Sequence, residues 1–275
     1  RYKDSTSNPS FTPEPFYKSS PLEKGIADLF EKSNRNFRAL GFSDGTSYSR
    51  GISLNLYASS GYESTPPLYT QNLYSYPSFL PRSMARHITP RSLRALELTS
   101  TRYVIHDNVA AEEIPSSLPR YSLYDEYLVA DDDTAAIETA LGMRGEFDIN
   151  KTVVLSSDPD IPISGSGNKG QIRLMKEGLN DISFQTISNE NTVLLLNDTY
   201  DKGWKAYVDG GETKIIRANY AFRAVAVPAG IHEVNFSFSA AGFREGKIIS
   251  WGALTIFLFI VVWNIYATGV RRKLF

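Results

Sequence analysis

From Phe147 onward the chain falls into short runs rich in β-forming apolar residues. These runs cover residues 152–155, 171–175, 181–187, 192–199, 204–208, 213–217, 222–227 and 233–238. Turn residues separate most of them at regular spacing, which predicts a sandwich or barrel of short strands. In the last run Val234, Phe236 and Phe238 alternate with Asn235 and Ser237, giving one buried and one wet face. Asp209-Gly210 after Val208 predicts a two-residue hairpin, because a type I′ turn needs positive φ at both centres. Pro228-Ala229-Gly230 predicts a second tight turn.

The pattern then changes abruptly. Between residues 248 and 270 there is no charged residue, and the run stops against Arg271-Arg272-Lys273. About 20 apolar residues in a helix match the hydrocarbon thickness of a bilayer. Trp251 near one end and Trp263 and Tyr266 near the other fit interfacial anchors. The basic cluster places the C-terminus in the cytoplasm and the preceding residues outside it. The chain begins at Arg1 and shows no apolar leader, so it is expected to be the tail of something longer. A cleaved signal peptide is the rival explanation.

The N-terminal half is less regular. Residues 1–20, rich in Ser, Thr and Pro, read as a linker. A helix is expected from Pro21 to about Lys32, on Leu22, Ile26, Leu29 and Phe30 at helical spacing. Residues 36–40 read as a strand, and 68–80 as a helix or turn packed by Tyr69, Leu73, Tyr76 and Phe79. Leu93, Leu96 and Leu98 precede a strand at 102–106. A strand at 126–130 and a short helix at 134–141 follow. The expected fold is α+β: a mixed α/β extracytoplasmic subdomain (21–146), an antiparallel, jelly-roll-like β-sandwich (147–243), a transmembrane helix (246–270) and a cytoplasmic tail (271–275).

Composition narrows the chemistry. The formal net charge is -1, so nucleic acid is not an expected partner. There is no cysteine, which excludes disulfides, thiolate metal sites and cysteine nucleophiles. Aromatic residues are abundant, with 16 Tyr and 15 Phe.

Two segments resemble the C-terminal region of the YfhO-type bacterial membrane proteins. One is Asp198-Thr-Tyr-Asp-Lys-Gly-Trp-Lys-Ala-Tyr-Val-Asp-Gly210; the other is Arg217-Ala-Asn-Tyr-Ala-Phe-Arg-Ala-Val-Ala-Val-Pro-Ala-Gly230. His232-Glu-Val-Asn-Phe236, Phe243-Arg-Glu-Gly246 and the upstream segments at 61–64, 96–105 and 147–155 resemble the same family in the same order. The resemblance implies a large polytopic protein of the GT-C glycosyltransferase type, using a polyprenyl-phosphate-linked sugar on cell-envelope polymers. It implies further membrane helices upstream in the same protein, and a divalent cation in the full-length protein. In such enzymes the catalytic carboxylate sits in the first external loop, which no position here matches. No catalytic residue and no cofactor is therefore assigned to this chain.

Several side chains are candidates for binding. Trp204 offers a stacking face, and Asp209, Asn219 and Arg223 offer hydrogen bonds to sugar hydroxyls or a phosphate. The same residues also suit turns and a sandwich core. Arg82, Arg86, Arg91 and Arg94, with His87 among them, form a basic cluster suited to a lipid diphosphate, or simply a solvated helix face. The tyrosines at 57, 62, 69, 74 and 76 suit a glycan groove or half-buried packing. Asp131-Asp132-Asp133 resembles a cation site, though three carboxylates at a helix start are also favoured by the macrodipole. Two functions remain open: an external part of a glycosyltransferase that assists donor or acceptor binding, or a single-pass anchored glycan- or protein-binding module without catalysis.

Overall fold

The computed structural model describes residues 21–33, 36–42, 73, 90–106, 110–145, 147–167, 169–240 and 242–271. Four helices and fourteen strands are described, and the strands form three sheets.

The first part builds a small unit. Helix α1 (Pro21–Lys32) leads to strand β1 (Arg38–Phe42), which pairs in parallel with β2 (Thr101–His106). Helix α2 (Pro90–Leu98) precedes β2, and β3 (Ala110–Glu113) adds antiparallel to it. Phe30 of α1 meets Phe37 edge-on at 5.3 Å, and Phe37 meets Tyr103 at 5.4 Å. The strand foreseen at 36–40 is thus present two residues further on; β3 had no alternating apolar run to announce it.

The second part is a sandwich with a helical cover. A six-stranded sheet runs in the order β4 (Tyr121–Tyr124), β9 (Thr192–Thr199), β13 (Phe222–Val227), β12 (Ile216–Ala218), β6 (Thr152–Leu155), β5 (Glu126–Val129). A five-stranded sheet runs β11 (Gly211–Thr213), β10 (Trp204–Val208), β14 (Gly230–Phe238), β8 (Asp181–Ser188), β7 (Gln171–Glu177). Strands β4 and β5 precede residue 147, so the sandwich draws on both sides of that position. β5 and β6 pair in parallel, among the described residues the one departure from an antiparallel sandwich. The cause is local: helix α3 (Asp133–Ala140) lies between them in sequence, and a crossover helix returns the chain in the same direction.

The six-stranded sheet is buried on both faces, which explains its sequence. Leu194, Leu196, Val225 and Val227 face Phe184, Ala206, Val234 and Phe236 of the other sheet. Their neighbours Val193, Leu195, Phe222 and Ala224 face Ala95 and Leu98 of α2 and Ala136, Ile137 and Ala140 of α3. A strand covered on both sides reads as a continuous apolar run rather than an alternation. The five-stranded sheet has one wet face, and β14 and β7 alternate accordingly.

Helix α4 (Phe243–Arg271) leaves the end of β14 after four residues. Its stretch Gly246–Asn264 is 19 residues long, apolar, and unburied by the rest of the chain. It is long and apolar enough to cross a bilayer.

Candidate functional site

The sandwich has two ends, and the connection to α4 labels them. Trp204 at the start of β10 pairs with Phe238 at the end of β14, and Asp181 at the start of β8 pairs with Ser237. The end holding these residues is the one from which α4 departs. At the opposite end lie the β10–β11 hairpin and the β13–β14 turn.

A charged cluster occupies the helix-proximal end. Its centre is Asp198, and a bulge in β9 puts it there. Phe222 pairs with Thr199 while the next residue, Arg223, pairs with Leu196, so Asn197 and Asp198 are extra. Bulges re-aim side chains in this way. Arg120 grips Asp198 with both ends of its fork, Nε to Oδ1 at 2.8 Å and Nη2 to Oδ2 at 2.7 Å, and donates through Nη1 to Glu177 Oε1 at 2.7 Å. Arg38 donates to Asp198 Oδ1, and Arg223 Nη2 to Oδ2 at 3.2 Å. Bidentate arginine–carboxylate pairs are among the strongest charge-assisted bonds.

The cluster joins all three sheets. Arg38 comes from β1, Arg120 from the residue before β4, Asp198 from β9, Arg223 from β13 and Glu177 from β7. Backbone bonds run alongside it: Arg120 N to Asn36 O at 3.0 Å, and Asn197 N to Arg120 O at 2.8 Å. Asn197 Nδ2 reaches both Ser100 Oγ and Pro119 O at 3.0 Å. Asp198 is therefore one of the points at which the small N-terminal sheet is fastened to the sandwich.

Arg223 is the unusual member. It sits in an apolar strand, is 1% exposed, and lies with its guanidinium carbon 3.7 Å from the centre of the Trp204 ring. Phe236 is 5.6 Å away on another side. Its Nε and Nη1 are buried without a hydrogen-bond partner. Burial pushes its pKa down to about 10, against the pull of Asp198. Burial also works to raise Asp198, but Arg120, Arg38 and Arg223 together hold its carboxyl far below the usual range. Neither group exchanges a proton near neutral pH. The cluster can hold charge and geometry; it is not built for general acid–base work.

Trp204 is half-buried between Arg223 and Phe238, whose ring centre is 5.2 Å away. Gly203 before it has no room for a side chain: a Cβ would lie 2.6 Å from Phe238 Cε2 and 2.8 Å from Ser239 O. That close approach explains the Gly-Trp pair in the sequence.

The other candidates do not converge on this place. Asp209 and Gly210 form the two-residue hairpin, with φ of 50° and 82°. Asp209 accepts from Glu233 N at 2.9 Å and contacts His232 Nδ1 at 2.6 Å. It lies five strand residues from Trp204, about 17 Å along β10, too far to share one sugar ring. Asn219 is helix-proximal but occupied: its N donates to Val154 O at 2.7 Å, and its Oδ1 accepts from Val154 N at 3.0 Å. Its φ of 43° places it in the turn between β12 and β13. Arg94 pairs with Glu97 at 3.6 Å and covers the Phe147 ring. Arg82, Arg86 and the tyrosines at 57, 62, 69, 74 and 76 lie outside the described residues. Asp132 caps α3, accepting from Ala135 N at 2.7 Å, while Asp133 pairs with Arg217. Of the four sandwich candidates, only Trp204 and Arg223 touch.

Residues 166–250 match the family model of the bacterial membrane protein YfhO. The match takes in strands β7 to β14 and the first turns of α4, so it includes Glu177, Asp198, Trp204 and Arg223. The resemblance seen in 198–230 is thereby borne out over the matched segment, which is similar to a YfhO-type membrane protein, and α4 is a helix long and apolar enough to span a membrane. The residues before 166, including Arg38 and Arg120, lie outside the matched segment. No curated protein and no solved structure matches the chain.

Sequence reasoning passed over Asp198, Arg120, Arg38 and Glu177. One signal was available: a lone arginine inside the run Phe222–Val227 must be buried with a carboxylate nearby. Asp198 was the acid nearest in the neighbouring strand.

Proposed function

We propose that this chain serves as the extracytoplasmic part of a polytopic GT-C-like glycosyltransferase acting on polyprenyl-phosphate-linked sugar at the bacterial cell membrane. In this reading the sandwich supplies no catalytic group. It is a rigid platform, fixed beside the bilayer by α4, that assists donor or acceptor binding for glycosylation of a cell-envelope polymer.

The observation that carries the reading is the YfhO match, which runs from β7 through β14 into the first turns of α4. Two features support it. The basic cluster 271–273 follows the span, as cytoplasmic ends do. The charged cluster at the helix-proximal end is proton-inert and binds the sheets to one another, which suits a platform and not a reaction centre.

Two measurements test it together. The chain is cysteine-free, so Lys202→Cys, at an exposed loop position, gives a single label site. A membrane-impermeant maleimide applied to intact cells should label it; labelling only after lysis overturns the extracytoplasmic placement. The purified full-length protein should transfer sugar from a polyprenyl-phosphate sugar to envelope polymer. No transfer, together with unchanged polymer sugar content in a deletion strain, overturns the glycosyltransferase assignment and leaves an anchored binding module.

A further inference from the structure

We propose that the β7–β8 turn is a second membrane contact of this chain, with Leu179 seated in the headgroup region beside α4. Leu179 is 99% exposed at the tip of the turn formed by residues 178–180. A lone exposed leucine is ordinary on a protein surface. Its position here is what gives it a partner.

The turn is tied to the strand that enters the membrane. Phe238 N donates to Asn180 O at 2.7 Å, and Phe238 is the last residue of β14. Four residues, 239–242, separate it from α4, and the apolar stretch of α4 begins at Gly246. Four extended residues and one helical turn reach at most about 18 Å. The interfacial zone on each side of a bilayer adds about 5–7 Å. The tether therefore keeps Leu179, next to Asn180, within about 13 Å of the level where headgroups begin, whichever side of the membrane the sandwich occupies.

The turn is also rigid enough to hold its tip in place. Gly178 N donates to Asp181 O at 2.7 Å, and Lys176 pairs with Asp181 at 2.7 Å. Met175, the bulged residue on the same edge strand, is 54% exposed and lies four residues back from the tip. At the turn itself Lys176 is offset by Asp181, and in the neighbouring loop Lys202 follows Asp201. The contact is thus apolar, and it does not depend on anionic lipid.

The test uses the full chain in lipid nanodiscs, with a fluorophore on Leu179→Cys and, as the control, on Ala229→Cys at the opposite end of the sandwich. Both positions are exposed, so neither change disturbs the core. A headgroup-region nitroxide lipid should quench the label at 179 severalfold more than that at 229, equally in phosphatidylcholine and phosphatidylglycerol. Three results overturn the proposal. Solvent-level quenching at both sites means that no contact exists. Equal quenching at both means that the sandwich lies on its side. Shielding of 179 from both the lipid nitroxide and aqueous iodide means that protein, not lipid, covers the turn.

Discussion

The two ends of the sandwich use charge in opposite ways. At the helix-proximal end Asp198 takes three arginines out of water, and the ion cluster replaces an apolar contact between sheets. At the far end Asp209 and His232 pair across two turns, with Asp209 about half exposed. The first arrangement couples distant parts of the chain: Arg38 and Asp198 are 160 residues apart. The second couples residues already neighbours through the β10–β14 pairing. A buried cluster is costly to break because each remaining charge is left unpaired in a poor solvent. A surface pair is screened by water, and its loss is small.

The largest difference should come from Asp198→Ala. It leaves Arg38, Arg120 and Arg223 together without their shared acceptor. Removing one member of a buried ion pair costs about 3–5 kcal/mol. Urea unfolding of the detergent-solubilised chain should show that loss. If the midpoint scarcely moves, the cluster is decoration and the small sheet is held by its backbone bonds and the apolar packing of α2. The depressed pKa of Asp198 adds a sign: its contribution is present above the ordinary aspartate value and lost only as pH falls far into acid.

Trp204→Ala comes next, at about 2–3 kcal/mol, since it removes both the face under Arg223 and the contact with Phe238. Arg223→Met separates the two parts of that loss. Asp198 keeps Arg38 and Arg120, and two buried N–H groups without partners disappear, so the change should cost less than either substitution above. A loss from Arg223→Met as large as that from Asp198→Ala would show that Arg223, not Arg120, is the main counter-ion.

Most of the sandwich was legible because its physics is local. Asp209-Gly210 announces a turn whatever lies around it, and β14 shows its wet face in Asn235 and Ser237. The membrane helix was legible for the same reason. What could not be read was register between distant segments. The bulge that turns Asp198 toward Arg120 depends on how β9 meets β13 and β4, and no local pattern encodes it. Strand β4, four residues long and buried at three of them, gave no alternation either. Trp204, Asp209, Asn219 and Arg223 stand together as sugar-site candidates because all four fall in the segments that resemble the YfhO family, beside a reading of them as turn and core residues. The strands between them carry Asp209 to the far end and lock Asn219 against Val154.

The smallest effect is also the one that most cleanly separates the ends. Both ring nitrogens of His232 face acceptors, Nδ1 toward Asp209 Oδ2 at 2.6 Å and Nε2 toward Ala229 O at 3.1 Å. Only the imidazolium can donate to both. The bond to Asp209, and then that to Ala229, raise the pKa of His232, while His232 and the Glu233 amide lower that of Asp209. A raised histidine stabilises the fold fully below its ordinary value, and this is lost as pH climbs through the raised one. A lowered aspartate stabilises above its ordinary value, and this is lost in acid. The pair therefore works best between the two, at mildly acidic pH. His232→Gln should lower Tm more at about pH 5.5 than at about pH 8, while Arg223→Met should lower it equally at both, since Arg223 and Asp198 do not titrate there. Near-UV circular dichroism melts read both. A His232→Gln deficit unchanged across that range would mean that the imidazole keeps one protonation state throughout, and the far end would then differ from the near end in exposure alone.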